Sequence, residues 1–128
     1  MPRELDSAAA HGGREYATVQ IFAEDELGPG GAPHKYILNW ANAENHDYDN
    51  RAVPFSFQKG PIQEVGINGI THESLLAVLI DRMEHFQNGP FPCAENATAL
   101  NHLKCALEWL NIRTAKRAAR GVEGQTKA

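Results

Sequence analysis

Short segments with alternating apolar and polar residues fill the first half of the chain. They are rich in β-branched and aromatic side chains, as strands are, and lie at residues 16–22 (YATVQIF), 35–40 (KYILNW), 53–58 (VPFSFQ) and 61–65 (PIQEV). Loops rich in glycine, proline and asparagine separate them. Pro54 favours an edge position for the third segment, because proline cannot donate to a ladder. The pattern predicts a small antiparallel β-core.

From Thr71 onward the apolar spacing becomes helical. Thr71 suits an N-cap, and Asn88-Gly89-Pro90 predicts a helix end with a left-handed glycine. A second helix is predicted from Ala94 to about Ala119, with Gly121 as its C-cap. The first helix carries one apolar stripe and the second a leucine seam: Leu75, Leu76, Leu79, Ile80, Met83 and Phe86, then Leu100, Leu103, Leu107 and Leu110.

The predicted fold class is therefore α+β, with an N-terminal antiparallel β-core followed by a two-helix antiparallel hairpin. Within a single domain we expect a flexible arm at residues 1–14, the β-core at 15–66, the hairpin at 70–120 and a tail at 121–128.

The second helix is predicted to be longer than the first, near 38 Å against about 23 Å at ~1.5 Å per residue. Its C-terminal turns therefore extend beyond the partner helix. An isolated helical overhang is poorly stabilised, so we expect an oligomer in which another subunit packs there. Trp109 and Ile112 lie off the leucine seam and are candidates for that interface.

Charge is unevenly distributed over the 128 residues, which have a formal net charge of −4. Residues 1–64 are acidic in balance, whereas residues 104–120 are basic. The net charge argues against a DNA or RNA polymer as partner, although a local anion site remains compatible with it. No signal peptide and no membrane-spanning apolar run is recognisable, which favours the cytoplasm and no membrane partner.

Several kinds of chemistry lack their motif in this sequence. The six histidines are scattered without ligand spacing, so neither a metal nor another cofactor is expected. The segment 28–31 (GPGG) lacks the lysine and the helix of a phosphate-binding loop. Cys93 and Cys105 are expected to be buried small hydrophobic residues rather than a disulfide. Residues 72–74 contain a single His-x-Ser motif, and no nucleophile and base are paired, so no catalytic residue is assigned.

The segment between the helices, residues 86–96 (FQNGPFPCAEN), combines aromatic side chains with an asparagine at a helix start. Phe86 either closes the hairpin core or stacks on a purine. Asn96 either caps its helix or reads the edge of a base or a ribose. Stacking of a base on an aromatic side chain contributes roughly 1–3 kcal/mol, which is enough to matter in a small-ligand site.

Arg113 and Arg117 are four residues apart and so share one side of a helix. They are either solvated cations near a helix C-terminus, which the helix dipole favours, or a fork-shaped phosphate site, since guanidinium groups present paired donors to phosphate oxygens.

Three blocks now resemble a known family: residues 57–87, 89–100 (GPFPCAENATAL) and 113–124 (RTAKRAARGVEG). They are similar to the phage anti-Thoeris/anti-CBASS sponges, small proteins with a β-core and a helical hairpin. The resemblance covers about the C-terminal half of the chain. The loop at residues 28–33 has no counterpart, and Pro92 stands where a small residue is common.

The resemblance implies a function and two sites. These sponges sequester cyclic nucleotide immune signals without cleaving them, as dimers or dimer-based hexamers, in the cytoplasm of the infected bacterial host. Phe86 and Asn96 correspond to the pocket for glyco-cyclic ADP-ribose, the Thoeris signal. Arg113 and Arg117 correspond to an inter-subunit pocket for the cyclic oligonucleotides of CBASS.

Two alternatives stay open beside a non-enzymatic sponge. An enzyme that opens the ring of such a signal would need a general base near the turn, where only His85 and Glu95 are close in sequence. A structural hairpin that assembles with host or phage proteins would use the same aromatic residues for packing.

Overall fold

The computed structural model describes residues 2–5, 19–40 and 51–121, and the chain divides into two compact units. The sheet unit comprises Met1–Gly60 and Ile67–Gly69, and the hairpin unit comprises Pro61–Gly66 and Ile70–Ala128. The fold is α+β, with a four-stranded antiparallel sheet and two long helices, as the sequence predicts.

The sheet is a meander of four strands, each paired with the next along the chain. They are β1 (Arg3–Leu5), β2 (Gln20–Ala23), β3 (Lys35–Asn39) and β4 (Ala52–Ser56), in the order β1-β2-β3-β4. Every pairing is antiparallel. The predicted strands at 35–40 and 53–58 are confirmed within one or two residues. Pro54 lies in β4, at the edge of the described sheet. Proline has no N–H, and at this edge position the sheet loses no hydrogen bond because of it.

An aromatic cluster packs one face of the sheet. Tyr36 lies directly opposite Phe55 in the β3–β4 register, and their rings stack with centroids 5.9 Å apart. Phe57 meets both rings edge to face, at 5.7 and 5.6 Å. Ala23, opposite Tyr36 on the other side, is almost fully buried. Cross-strand aromatic pairs of this kind stabilise a sheet beyond their area burial.

The structure differs from the prediction at the start of the chain. Residues 1–14 are predicted as an arm without regular structure, yet Arg3–Leu5 forms β1 and pairs with Ile21–Ala23. Such a short strand has no alternating pattern of its own and depends on the edge of β2. The loop predicted at 41–50 and residues 16–18 of the first predicted strand lie outside the described residues.

The strand predicted at 61–65 is wrong, because Ile62–Val65 forms a single helical turn, α1. The N–H groups of Glu64 and Val65 both donate to the Pro61 carbonyl, at 3.0 and 2.9 Å, and Gly66 ends the turn at φ +75°. Ile62 and Val65 are exposed by 40% and 54%. The β-branched residues therefore have no sheet face to bury, and local backbone bonding decides the conformation.

Residues 67–69 join the sheet unit through the side-chain amide of Asn68, which makes the pair of hydrogen bonds that a neighbouring strand would make. The Asn68 side chain accepts from Lys59 N–H at 2.8 Å and donates to the Lys59 carbonyl at 2.7 Å. The Gln58 side chain accepts from Asn68 N–H at 3.0 Å. Gly69 then passes so close to Phe57 that a Cβ would lie 2.6 Å from the Phe57 carbonyl oxygen.

The β2–β3 connection is organised by one carboxylate. Asp25 Oδ1 accepts from the N–H groups of His34 and Lys35, both at 2.9 Å. The bond from Lys35 N–H is the main cause of a pKa below the usual value for Asp25. His34 is buried, and its ring packs against Gly28, where a Cβ would lie 3.0 Å from the imidazole. Pro29–Gly31 forms a short 3₁₀ turn rather than a phosphate loop.

The hairpin unit contains α2 (His72–Gln87) and α3 (Ala94–Ala119), as the sequence predicts. Thr71 caps α2: its side chain accepts from Ser74 N–H, and Ser74 Oγ accepts from Thr71 N–H. After the last residue of α3, Arg120 is the C-cap and Gly121 adopts φ +71°. This glycine takes the left-handed conformation that the sequence predicts.

The leucine seam forms the packing side of α3. Ile80 on α2 and Leu100 on α3 are the most buried apolar residues of the hairpin, at 8% exposure each. Full burial of such a side chain contributes about 1.5–3 kcal/mol. The buried and half-buried positions of α3 continue at steps of three and four beyond the leucines: Leu100, Leu103, Leu107, Leu110, Thr114 and Arg117.

Gly69 gives a test of the close approach in the sheet unit. We expect Gly69→Ala to lower the free energy of unfolding by about 1–3 kcal/mol, because the methyl group overlaps the backbone of Ser56 and Phe57. Thermal unfolding followed by circular dichroism measures the loss. Gly30→Asn is the matched control, since Gly30 faces open space at φ +83° and asparagine tolerates that conformation. Equal melting temperatures for the two variants would contradict the overlap.

Candidate functional site

The tip of the hairpin is closed by one side chain. The amide of Gln87, the last residue of α2, accepts from Cys93 N–H at 3.1 Å and donates to the Cys93 carbonyl at 3.0 Å. This pair, which we call the tip clamp, joins the end of α2 to the residue that precedes α3. Phe86 directly precedes Gln87, and Asn96 follows Cys93 by three residues, so both lie at the end of the hairpin that the clamp closes.

The turn inside the clamp differs from the prediction. Asn88 is the C-cap of α2 in a right-handed conformation, with its N–H directed at the Glu84 and Phe86 carbonyls. Gly89 is not left-handed. A Cβ at Gly89 would lie 3.2 Å from the His85 carbonyl oxygen, so a larger residue there needs a small shift of the chain.

Phe86 is not a core residue of the described chain. It is 46% exposed, and the guanidinium of Arg82, one helical turn earlier, lies over its ring at 4.6 Å from the centroid. A cation at that distance is attracted to the ring and holds it in place. The exposed part of the ring is then a pre-oriented aromatic surface, as stacking on a planar base requires.

Asn96 is half-buried in the first turn of α3, and its side chain is not the helix cap. The cap is Cys93, whose Sγ accepts from Asn96 N–H at 3.4 Å. The polar amide of Asn96 is therefore not needed for capping. Cys93 and Cys105 are both free and exposed in this chain, so their predicted burial is wrong. Cys93 precedes α3 as its N-cap, and Cys105 occupies a position on α3 away from the leucine seam.

His85, next to Phe86 in the chain, is a titratable group at the end of α2. Its Nδ1 lies 2.8 Å from the Asp81 carbonyl oxygen and 3.6 Å from Asp81 Oδ2. The hydrogen bond to the Asp81 carbonyl, then the Asp81 charge and that of Glu84, raise the pKa of His85 above its usual value. Its place in the last turn of α2 also favours a cation.

The second predicted site is not a symmetric fork. Arg113 is exposed, whereas Arg117 is only 7% exposed. The difference follows from helix geometry, because Arg117 lies seven residues after Leu110 and so continues the packing side of α3. The sequence spacing places both arginines on one half of the helix. It does not show which of the two faces solvent and which lies on the packing side.

A shallow groove opens on α3 next to the tip clamp. It has a volume of about 450 Å³ and is lined by residues of the first turns of that helix: Ala94, Glu95, Thr98, Ala99 and His102. A depression lined by one helix cannot surround a ligand. Any buried nucleotide at this end needs further walls besides α3.

Two other kinds of site are not found in the described part of the chain. Across residues 2–5, 19–40 and 51–121, no three or more His, Cys, Asp or Glu side chains are grouped as metal ligands. Within the same ranges, no helix has the length and apolarity to cross a membrane.

The Gln87 amide, the Arg82–Phe86 contact and the Cys93 cap were not predicted from the sequence. The four-residue spacing of Arg82 and Phe86 was available as a signal, since side chains at i and i+4 meet on a helix. No such signal existed for the tip clamp. It joins a side chain to the backbone across a turn, and apolar periodicity does not predict the path of a turn.

The comparison with known proteins identifies the family. Residues 49–115 match the hairpin domain described as Acb2/Tad1, which is slightly more than half of the chain. The protein therefore belongs to the Acb2/Tad1 hairpin family. Phe86, Asn96 and Arg113 lie inside the matched range, and Arg117 lies just beyond it.

A named relative is similar over more than half of the chain. Thoeris anti-defense 1 of Bacillus phage SBSphiJ7 is 49% identical over 78 residues, which cover 61% of this chain and 55% of that protein. The similar region thus spans about half the length of this curated relative.

Removal of the tip clamp tests its role. We expect Gln87→Met, which keeps the size of the side chain and removes both hydrogen bonds, to lower the free energy of unfolding by about 1–2 kcal/mol. Urea unfolding measures the loss, and hydrogen exchange should show faster exchange of Cys93 N–H. Asn111→Met is the control, because it makes a similar change at an exposed position of α3. If both variants unfold at the same urea concentration, the clamp contributes nothing to stability.

The charge beside Phe86 gives a pH test. Because the pKa of folded His85 is raised, its stabilising interaction is fully present below the unfolded pKa of about 6.5 and fades as pH rises through the folded pKa. In an NMR titration, Asp81→Asn should lower the pKa of His85, since it removes the side-chain charge. Glu84→Gln should lower it less. An equal or larger effect of Glu84→Gln would overturn this order of causes.

Proposed function

We propose that this protein binds and sequesters cyclic nucleotide immune signals without cleaving them, and thereby blocks anti-phage defence. Family membership and the relative named Thoeris anti-defense 1 support an anti-defence role. Sequestration requires only tight binding and enough protein. Slow dissociation of a buried ligand makes the binding tight.

The observation that carries the proposal is the hairpin tip. Phe86 is exposed and braced by Arg82, and Asn96 offers an amide that the helix cap does not use. The tip clamp holds the two residues at one end of the hairpin. An aromatic face beside an amide suits a ligand with a purine and a ribose, so we assign glyco-cyclic ADP-ribose, the Thoeris signal, to this end.

A second ligand class is proposed for the far end of α3. Arg113 is exposed in a basic stretch, and guanidinium groups pair with phosphate oxygens in a planar fork. We assign cyclic oligonucleotides of the CBASS type to this end, with Arg113 as a direct contact. Arg117, being buried, acts there by supporting the helix side that packs.

Binding without cleavage is favoured by the chemistry of the tip. His85 and Glu95 are the titratable groups that flank Phe86 and Asn96 in sequence, and the bond from His85 Nδ1 to the Asp81 carbonyl leaves only Nε2 of that ring as a base. No described nucleophile is paired with either. We further propose a homodimer or dimer-based hexamer acting in the cytoplasm of the infected bacterial host, whose additional subunits supply the missing walls of the tip site.

The tip is tested by the double substitution Phe86→Ala with Asn96→Ala. We expect this variant to bind glyco-cyclic ADP-ribose about 5- to 150-fold more weakly in calorimetry, the loss of one stacked base, and to retain cyclic oligonucleotide binding. The wild type should deplete free glyco-cyclic ADP-ribose, and heating should release it intact. A linear product on chromatography would instead establish an enzyme.

Two controls make the result specific. Val78→Ala removes an apolar side chain of α2 that is 63% exposed and should leave binding unchanged. Arg113→Ala with Arg117→Ala should lose the cyclic oligonucleotide and keep glyco-cyclic ADP-ribose, with its melting temperature measured because Arg117 is buried. If both double variants lose the same ligand, the assignment of two sites is wrong.

A further inference from the structure

The guanidinium of Arg82 carries a charge that no carboxylate neutralises. It lies over the Phe86 ring, 4.6 Å from the ring centroid, and the side chain is exposed. Among the described residues, Arg82 forms no ion pair. An aromatic ring attracts a cation without cancelling its charge, so a full positive charge remains next to Phe86.

The acids in the last turns of α2 already have cations beside them. His85 Nδ1 lies 3.6 Å from Asp81 Oδ2, and the two form an ion pair when the imidazole is protonated. Lys104 Nζ on α3 lies 3.9 Å from Glu84 Oε2. Within residues 81–87, Arg82 is therefore the charged side chain that has no opposite charge next to it.

A guanidinium can stack and donate hydrogen bonds at the same time. Its flat face packs on aromatic rings, whereas its five N–H donors point outward in its plane. The contact with Phe86 therefore leaves the donors of Arg82 available. It also restricts the side chain, so less rotamer freedom is lost when a ligand binds. Donors arranged in this way suit a phosphate group, whose oxygens accept two parallel N–H bonds.

Two roles are open to Arg82: a brace that only orients the Phe86 ring, or a direct contact with the ligand. A signal of the ADP-ribose type carries a diphosphate, and neither Phe86 nor Asn96 offers a charge to it. Taking an unpaired charge out of water costs free energy. A site that encloses such a ligand therefore needs a cation close to the stacking ring, and the position of Arg82 meets that need.

We propose that Arg82 binds the diphosphate of the ligand at the hairpin tip while its guanidinium stays stacked on Phe86. The inference rests on the proposed function and deepens its first ligand class. The tip then selects a purine joined to a diphosphate rather than any planar base, and Arg82 is a specificity-determining residue besides Phe86 and Asn96.

The test is a calorimetric titration with glyco-cyclic ADP-ribose at several salt concentrations. Arg82→Met keeps an unbranched side chain that packs well on an aromatic ring, but it removes the charge and the donors. It should weaken binding roughly 10- to 150-fold, the loss of hydrogen bonds to a charged group. Its affinity should also depend less on salt, because a screened charge pair is gone. Arg82→Lys keeps the charge and loses the planar fork, so it should retain the salt dependence and recover part of the affinity.

Controls separate this inference from the proposed function. Arg120→Met makes the same change at the exposed C-cap of α3 and should leave affinity and salt dependence unchanged. Melting temperatures should be equal for all variants, since both arginines are exposed. If Arg82→Met binds as tightly as the wild type, or binds more weakly with an unchanged salt dependence, Arg82 is at most a brace. The inference is then wrong and the sponge stands. If the wild type itself does not bind glyco-cyclic ADP-ribose, the assignment of this ligand to the tip fails, and the inference fails with it.

Discussion

The geometry of the hairpin turn depends on the two hydrogen bonds between the Gln87 amide and the Cys93 backbone, while the leucine seam packs the two helices together. The amide offers one donor and one acceptor in the spacing of a peptide group, so it pairs with Cys93 as a neighbouring strand would. The directions in which α2 ends and α3 begins follow from this pairing, and with them the place of Phe86 and Asn96.

Length is the second constraint on the hairpin unit. With 16 residues in α2 and 26 in α3, the longer helix extends some 15 Å further at ~1.5 Å per residue. Near the clamp, α3 packs on α2 through the leucine seam. Farther along, the same periodicity continues with Thr114 and Arg117 instead of leucine. A charged residue on the packing side shows that this end of the helix is built for polar neighbours.

How far the sequence predicts the molecule depends on the range of the interactions involved. The limits of α2 and α3 are predictable because Thr71, Ser74 and Gly121 act within a few residues of the helix ends. β1 and α1 are not, since Arg3–Leu5 depends on a partner strand and Ile62–Val65 has strand-forming residues without a sheet to join. The exposure of Cys93 follows from its use as a helix cap, which overrides the tendency of cysteine to be buried.

Prediction of the candidate sites from the sequence is limited in the same way, by the range of the interactions involved. Periodicity finds Phe86 and Arg113, because both lie on regular helices, but exposure at neighbouring positions depends on what packs against each side. Arg113 and Arg117 are equivalent in spacing, yet only one faces solvent. The sequence therefore predicts that the end of α3 is basic, and the structure shows which of its cations are exposed to solvent.

Under the proposed function, the two ends of α3 differ in the physical basis of recognition. At the tip, the aromatic and amide groups act through contact and direction, which depend little on ionic strength. At the far end, several cations act through charge, which salt screens over a Debye length of about 8 Å under physiological conditions. A ligand with few phosphates and a large ring suits the first, and a ligand with several phosphodiesters suits the second. One helix can thus present separate surfaces to two classes of cyclic nucleotide, because its length exceeds that distance several times.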